Sequence, residues 1–265
     1  MKIRNILVIA AFLMLFSCAE KRSNPLIQNL DKSWIVTTDT LNIKMQVDIP
    51  SVIQADMYEN GLIPHPYKSN IEPQLLWIPQ HEWEYSLDFK AEDYILREDV
   101  IELVFEGLDT YAEVWMNGKK ILHADNMFRT YSYDVKDIIK EKNNIKIKFY
   151  PFDKERDSLI ETYRLRFPEK YAVMRKAAYQ NGWDWAPRYM NMGIWQPVYL
   201  KAWTRSTICS ASVITKDIHD DKADLFFEAC INADVEHNIS LQLFQEGEKI
   251  LDQNINLTKG TNYYS

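Results

Sequence analysis

Short runs in which apolar and polar residues alternate, separated by turn-forming residues, recur along most of this 265-residue chain. Alternation of period two puts every second side chain on one face, so each run reads as a strand with one face buried. Leu41-Asn42-Ile43-Lys44-Met45-Gln46-Val47 is the first such run, and Pro50 follows it. Trp83, Tyr85, Leu87 and Phe89 alternate with polar residues, as do Ile101, Leu103 and Phe105. Glu113-Val114-Trp115-Met116 leads through Asn117-Gly118 into Lys119-Lys120-Ile121-Leu122. Asn-Gly between two apolar runs predicts a tight hairpin. Tyr131, Tyr133 and Val135, then Ile145, Ile147 and Phe149 after Asn143-Asn144, and finally Val198, Leu200 and Ala202 complete the series. Many short strands with turns between them predict an all-β chain built as an antiparallel sandwich or barrel.

Two stretches interrupt the strands. Ser51-Val52-Ile53-Gln54 fits a capping box, with Ser51 as N-cap and Gln54 at N3 of a short helix that Gly61 stops. Phe152 to Gln180 has no period-two pattern and carries five basic residues between Arg164 and Lys176. It reads as a long functional excursion without regular structure, apart from a short helix over Tyr171–Tyr179 with Met174 and Ala178 on one face.

Lys2 and Arg4 precede an unbroken apolar run from Ile6 to Phe16. Eleven residues are too few to span a bilayer, which takes about 20, so residues 1–17 read as a signal peptide. Leu15-Phe16-Ser17-Cys18 resembles a bacterial lipoprotein cleavage box, which makes Cys18 the expected lipidation site and residues 18–30 a lipidated tether. An exported protein, membrane-anchored only through Cys18 and either periplasmic or at the cell surface, is the expectation. The remaining Cys209 and Cys230 either pair, as export permits, or stay as buried free thiols.

With 46% apolar and 13% aromatic residues the rest of the chain is globular, and a net charge of −7 without a basic run argues against a nucleic-acid partner. There is no phosphate loop, Gly-rich dinucleotide turn or Cys-x-x-Cys pair, and the five His are scattered. Neither a cofactor nor a metal is expected. From residue 205 four further strands are expected: Ile208 to Thr215, Asp224 to Ala233, Ile239 to Phe244 and Ile250 to Leu257, with a turn at Gln245-Glu246-Gly247-Glu248.

Asn181-Gly182-Trp183-Asp184-Trp185-Ala186-Pro187-Arg188 concentrates the chemistry. Gly182 and Pro187 make it a shaped loop. Indole faces suit the C–H faces of a pyranose, and a carboxylate accepts hydrogen bonds from neighbouring hydroxyls. The same residue types also fit two core tryptophans and a turn-capping Asp. The carboxylates Glu82, Glu84, Glu102, Glu106, Asp109 and Glu113 read as a solvated sheet face, since those on strands mostly alternate with apolar residues, and no catalytic pair is assigned.

Several of these segments occur in a recognisable order. They are Gly61-Leu62-Ile63-Pro64, Trp77-Ile78, Trp83-Glu84-Tyr85, Glu106-Gly107-Leu108-Asp109-Thr110-Tyr111, Asn117-Gly118, Ala124-Asp125-Asn126-Met127-Phe128-Arg129, Gly182-Trp183-Asp184-Trp185-Ala186-Pro187-Arg188 and Gly193-Ile194-Trp195-Gln196-Pro197-Val198. The ordered set, over about residues 40 to 204, resembles the N-terminal region of β-mannosidases of glycoside hydrolase family 2; Ala186 stands where that family usually has Gly. The resemblance implies a jelly-roll, galactose-binding-like sandwich over residues 31–204. Residues 205–265 would be an incomplete immunoglobulin-like sandwich, cut short at Ser265. A catalytic (β/α)8 barrel with two Glu would be supplied from outside these residues, by the same gene product or a split gene.

It further implies retaining hydrolysis of terminal β-mannose from oligosaccharides, with carboxyls about 5–5.5 Å apart in that barrel. In such enzymes the loop lines the substrate site. Asp184 would bond sugar hydroxyls, Trp183 would wall the pocket, and Trp185 would be a third lining residue that packs under the loop. The chain would then contribute a β-mannoside-binding loop but no catalytic residue. The alternatives are a surface lectin-like module and a scaffold that binds nothing.

Overall fold

The computed structural model describes residues 25–38, 40–68, 70–164, 166 and 170–265. Cys18 and the signal segment lie outside the described residues. The first unit has ten strands: β1 Leu26–Asn29, β2 Trp34–Thr38, β3 Ile43–Val47, β4 Trp83–Lys90, β5 Val100–Phe105, β6 Ala112–Met116, β7 Lys119–Ala124, β8 Tyr131–Asp134, β9 Lys142–Phe149 and β10 Val198–Trp203. They form two antiparallel sheets, one of six strands in the order β3-β2-β4-β9-β6-β7 and one of four in the order β1-β10-β5-β8. This is the all-β jelly-roll sandwich that the resemblance implied.

The alternating residues meet in the core. Trp34, Trp83, Tyr85, Phe105 and Phe149 are fully buried, and burying a side chain of this size contributes about 1.5–3 kcal/mol. Each buried indole keeps a polar partner: Trp34 donates to the Leu30 carbonyl at 2.7 Å and Trp83 to that of Ile78 at 2.9 Å. Asn117 and Gly118 both have positive φ, 52° and 82°, and Met116 pairs with Lys119 across them. This is the two-residue hairpin expected from Asn-Gly, whose twist matches that of the strands.

Four expectations are corrected. The first domain starts earlier than residue 31, because Leu26–Asn29 pairs with β10; four residues are too few to show alternation. The capping box does not form. The helix runs Ile53–Glu59, and its N-cap residue Val52 supplies no side-chain cap. The Ser51 N–H is committed to the Ile194 carbonyl, its hydroxyl donates to Asp56, and the Gln54 amide donates to the Met190 carbonyl. A carboxylate inside the helix thus takes the Ser51 side chain, and a distant carbonyl takes that of Gln54. Third, Phe152–Tyr163 is a regular helix at the start of the excursion. Fourth, Tyr171–Tyr179 holds no α-helix; two 3-10 turns, Lys170–Val173 and Ala178–Asn181, stand there. The other helix end behaves as expected: Gly61 (φ 69°) and Leu62 donate back to the Tyr58 and Met57 carbonyls, the two bonds of a Schellman motif.

The second unit has five strands, β11 Ser206–Ile218, β12 Ala223–Ala233, β13 His237–Gln245, β14 Glu248–Leu257 and β15 Gly260–Tyr264. They form a three-stranded sheet β11-β12-β15 and a two-stranded sheet β13-β14, where an immunoglobulin sandwich has about seven strands. The short β15 has no apolar alternation and was not foreseen. Ala229, Ile231, Ala233, Ile255 and Leu257 form a small core. Cys209 and Cys230 are disulfide-bonded, with Cα atoms 5.4 Å apart, where the β11–β12 register shifts between Ile208 and Ser210.

Candidate functional site

The Trp-rich loop stands on a buried polar clamp. Asp109 follows β5, and its backbone exchanges two hydrogen bonds with Gly193, at 2.9 and 3.0 Å. Its carboxylate accepts from Lys176 Nζ at 2.5 Å and from Gln180 Nε2 at 3.0 Å. Lys176 also donates to the Asn191 carbonyl at 2.6 Å, and Gln180 Oε1 accepts from the Asn191 N–H at 2.9 Å. Lys176 and Asp109 side chains are each only 1% exposed. Burial pulls the Lys176 ammonium down from the ordinary lysine range, while the Asp109 carboxylate pulls it up. Both stems of the loop, Gln180 on one side and Asn191 on the other, are therefore tied to one strand end. A second brace comes from Met127, which accepts at its carbonyl from Trp195 Nε1 (3.0 Å) and at its sulfur from the Ala177 N–H. Gly107 is required there, since a Cβ would lie 2.4 Å from Trp195 Nε1.

Above the clamp the chain turns tightly. Trp183 and Ala186 exchange two backbone hydrogen bonds of 3.1 Å, which puts Asp184 and Trp185 at the tip. Gly182 enters with φ 89°, and a Cβ on it would press on Arg188 at 3.3 Å. Arg188 in turn sits over the Tyr171 ring and donates to its hydroxyl, and Arg156 sits over the same ring. The tip is open: Trp183 is 63% and Trp185 82% exposed, and their rings meet edge-to-face at 6.1 Å. Asp184 is exposed as well, and its carboxylate has no partner among the described residues. Neither indole is core. Trp185 does not pack under the loop as expected, because the two-residue turn projects it outward. The clamp was not foreseen: Asp109, expected on a solvated sheet face, is buried because Lys176 and Gln180 close over its carboxylate, and of Asp109, Lys176, Gln180 and Asn191 it alone lies in one of the ordered segments.

Beside the tip lies an open groove of about 550 Å³, to which Tyr58, His65, Tyr67, Tyr179, Trp185 and Tyr189 contribute. Trp183 and Asp184 do not line it. Its aromatic rings come from segments far apart in sequence, so no local motif announced it. Among the described residues no cluster of His, Cys, Asp and Glu is arranged to hold a metal, and no helix is long and apolar enough to cross a membrane.

Asp56 lies under the same end of the sandwich, 1% exposed, accepting from Ser51 at 2.5 Å and Tyr85 at 3.1 Å. Burial outweighs these bonds and pushes its carboxyl up to about 6 from an ordinary 3.8. Between those values the folded chain holds a proton that the unfolded chain has released. The associated stability is full below about pH 3.8 and is lost as pH rises through about 6, on the order of 3 kcal/mol. Asp56→Asn is expected to remove this dependence. Urea midpoints from pH 4 to 7 should show the wild type losing stability relative to the variant, and parallel profiles would refute the shift.

The similarities to known proteins fit this geometry. Residues 29–196 match the family described as glycosyl hydrolase 2 galactose-binding domain-like. A β-mannosidase of Mus musculus is 29% identical over 188 residues, 66% of this chain and 21% of that protein. Beta-mannosidase A of Emericella nidulans is 31% identical over 182 residues, 64% of this chain and 19% of that protein. The chain thus spans about a fifth of the length of these relatives. The solved β-D-mannosidase of Dictyoglomus thermophilum superposes with a TM-score of 0.77 at 27% identity, over 90% of this chain and 30% of that one. An exo-chitosanase of Amycolatopsis orientalis shares the fold, with a TM-score of 0.69 at 20% identity over 91% of this chain and 28% of that one. The chain belongs to the glycosyl hydrolase 2 galactose-binding domain-like family and corresponds to the N-terminal region of β-mannosidases.

Proposed function

We propose that this chain is the substrate-lining N-terminal part of an exo-β-mannosidase, with Trp183, Asp184 and Trp185 forming one wall of the site for a terminal β-mannose. The observation that carries this reading is the contrast among the tryptophans. Trp34 and Trp83 are fully buried, whereas Trp183 and Trp185 are held out in solvent beside an unpartnered carboxylate, on a loop clamped at both stems. Two indoles exposed side by side on a clamped loop are the mark of a surface that something binds. Asp184 would accept hydroxyl hydrogen bonds, and the indoles would cover the apolar sugar face. The general acid and the nucleophile of a retaining mechanism would come from the barrel outside these residues.

One wall alone binds weakly, since small-ligand sites bury most of the ligand. The purified chain is expected to leave an aryl β-mannoside uncleaved. Millimolar mannose should still shift the indole N–H resonances of Trp183 and Trp185. Asp184→Ala should weaken that binding by about 10-fold or more, as loss of a charged hydrogen bond costs about 1.5–3 kcal/mol. A folded Asp184→Ala chain that binds mannose as well as the wild type would refute the role of Asp184.

A further inference from the structure

We infer that the groove beside Trp185 is a second saccharide subsite, which takes the neutral pyranose unit adjoining the one held at Asp184. The inference rests on the reading of the loop as a sugar wall and extends it to the next unit.

Three observations support it. First, the groove is lined by aromatic rings in a connected set. Tyr58 meets His65 edge-on at 5.0 Å, His65 meets Tyr67 at 6.2 Å, and Tyr67 meets Tyr189 at 5.5 Å. Such rings present flat apolar faces with polar rims, which is what a pyranose requires. Second, apart from the Tyr189 hydroxyl, which donates to the Pro66 carbonyl, the rims are unengaged. The hydroxyls of Tyr58, Tyr67 and Tyr179 and the indole N–H of Trp185 have no partner among the described residues. The Tyr67 N–H donates to His65 Nδ1 at 3.2 Å, which leaves the proton of the neutral ring on Nε2 as a further donor. Of the five buried side-chain polar atoms without a partner among the described residues, three surround the loop and groove: Gln54 Oε1, Asn181 Oδ1 and Arg188 Nε. Gln54 itself lines the groove, and an orphaned buried acceptor of this kind is destabilising until a donor reaches it. Third, among the described residues no Asp, Glu, Lys or Arg lines the groove, so its chemistry suits an uncharged ligand. Its volume of about 550 Å³ lies within the usual range of small-ligand sites, about 300–1,000 Å³. Trp185 borders the groove and also touches Trp183 across the tip, so it stands as the partition between the two units.

The test compares mannose with β-1,4-mannobiose on the 265-residue chain, read by indole and tyrosine resonances. The disaccharide is expected to bind at least about 10-fold more tightly than the monosaccharide. Tyr179→Ala, at a 68% exposed position, should abolish that advantage while leaving mannose binding unchanged, and Tyr67→Ala (74% exposed) should do the same. Asp184→Ala should weaken both sugars. Equal affinity for the two sugars in the wild type would overturn the subsite but leave the loop reading standing. So would a Tyr179→Ala chain that keeps the advantage. Binding of neither sugar would overturn both readings.

Discussion

Lys176→Met is expected to destabilise the first unit by about 3–5 kcal/mol, the usual cost of stranding one member of a buried ion pair. Lys176 and Asp109 are both 1% exposed, so loss of the ammonium would leave the carboxylate away from bulk solvent. The Asp109 carboxylate would keep Gln180 Nε2 and the Thr110 hydroxyl as donors, but no cation. Urea unfolding followed by far-UV circular dichroism measures the loss. Combining Lys176→Met with Asp109→Asn should recover a large part of it, because the neutral amide oxygen still accepts from Gln180 and no charge remains buried. If the single variant unfolds at the wild-type midpoint, the pair contributes nothing and the clamp is misread. The same variant should loosen the Trp183–Trp185 tip, since Lys176 and Gln180 are the two side chains that tie the Asp109 carboxylate to the stems of the 181–190 loop.

Reduction of the Cys209–Cys230 disulfide, or its replacement by two serines, is expected to remove about 3 kcal/mol from the second unit, as for closure of a loop of this size. The effect should be confined there. Five small or aliphatic side chains make up its core, whereas the first unit packs Trp34, Trp83, Phe105 and Phe149 between its sheets. For so small a unit, 3 kcal/mol corresponds to roughly 12–24 °C in Tm. Calorimetry with and without reductant should lower one transition and leave the other in place. Equal shifts of both, or none, would contradict independent stabilisation by the disulfide. The outer half of the β11–β12 ribbon gives no compensation, because Val213, Ile214, Ile218 and Leu225 lie exposed on it.

Which features were legible in the sequence follows from the range of the forces involved. Asn117-Gly118 specified its turn because positive φ at two consecutive positions is a local demand. Trp83, Tyr85 and Leu87 specified a strand face because one period and one solvent boundary suffice. Gly61 marked its helix end for the same local reason. Ser51 and Gln54 misled, since the Gln54 side chain is taken by the Met190 carbonyl 136 residues away and the Ser51 hydroxyl by Asp56 within the helix, a carboxylate held buried by the tertiary fold. Leu26–Asn29 was silent because a four-residue strand owes its existence to β10.

The candidate site divides in the same way. The sequence by itself determined the residue types at the tip, Trp183-Asp184-Trp185 between Gly182 and Pro187, and with them a chemistry suited to sugars. Whether those indoles were core or exposed was decided only by the tertiary structure. Asp109, Lys176, Gln180 and Asn191, drawn from two distant segments, close into one buried network that lifts the tip into solvent. The groove beside Trp185 likewise exists only where the segments around Tyr58, Tyr67, Tyr179 and Tyr189 converge. Turn and alternation are properties of neighbouring residues and can be read along the chain. Burial of a charge pair and the shape of a groove are properties of surfaces that meet only once the sheets have packed.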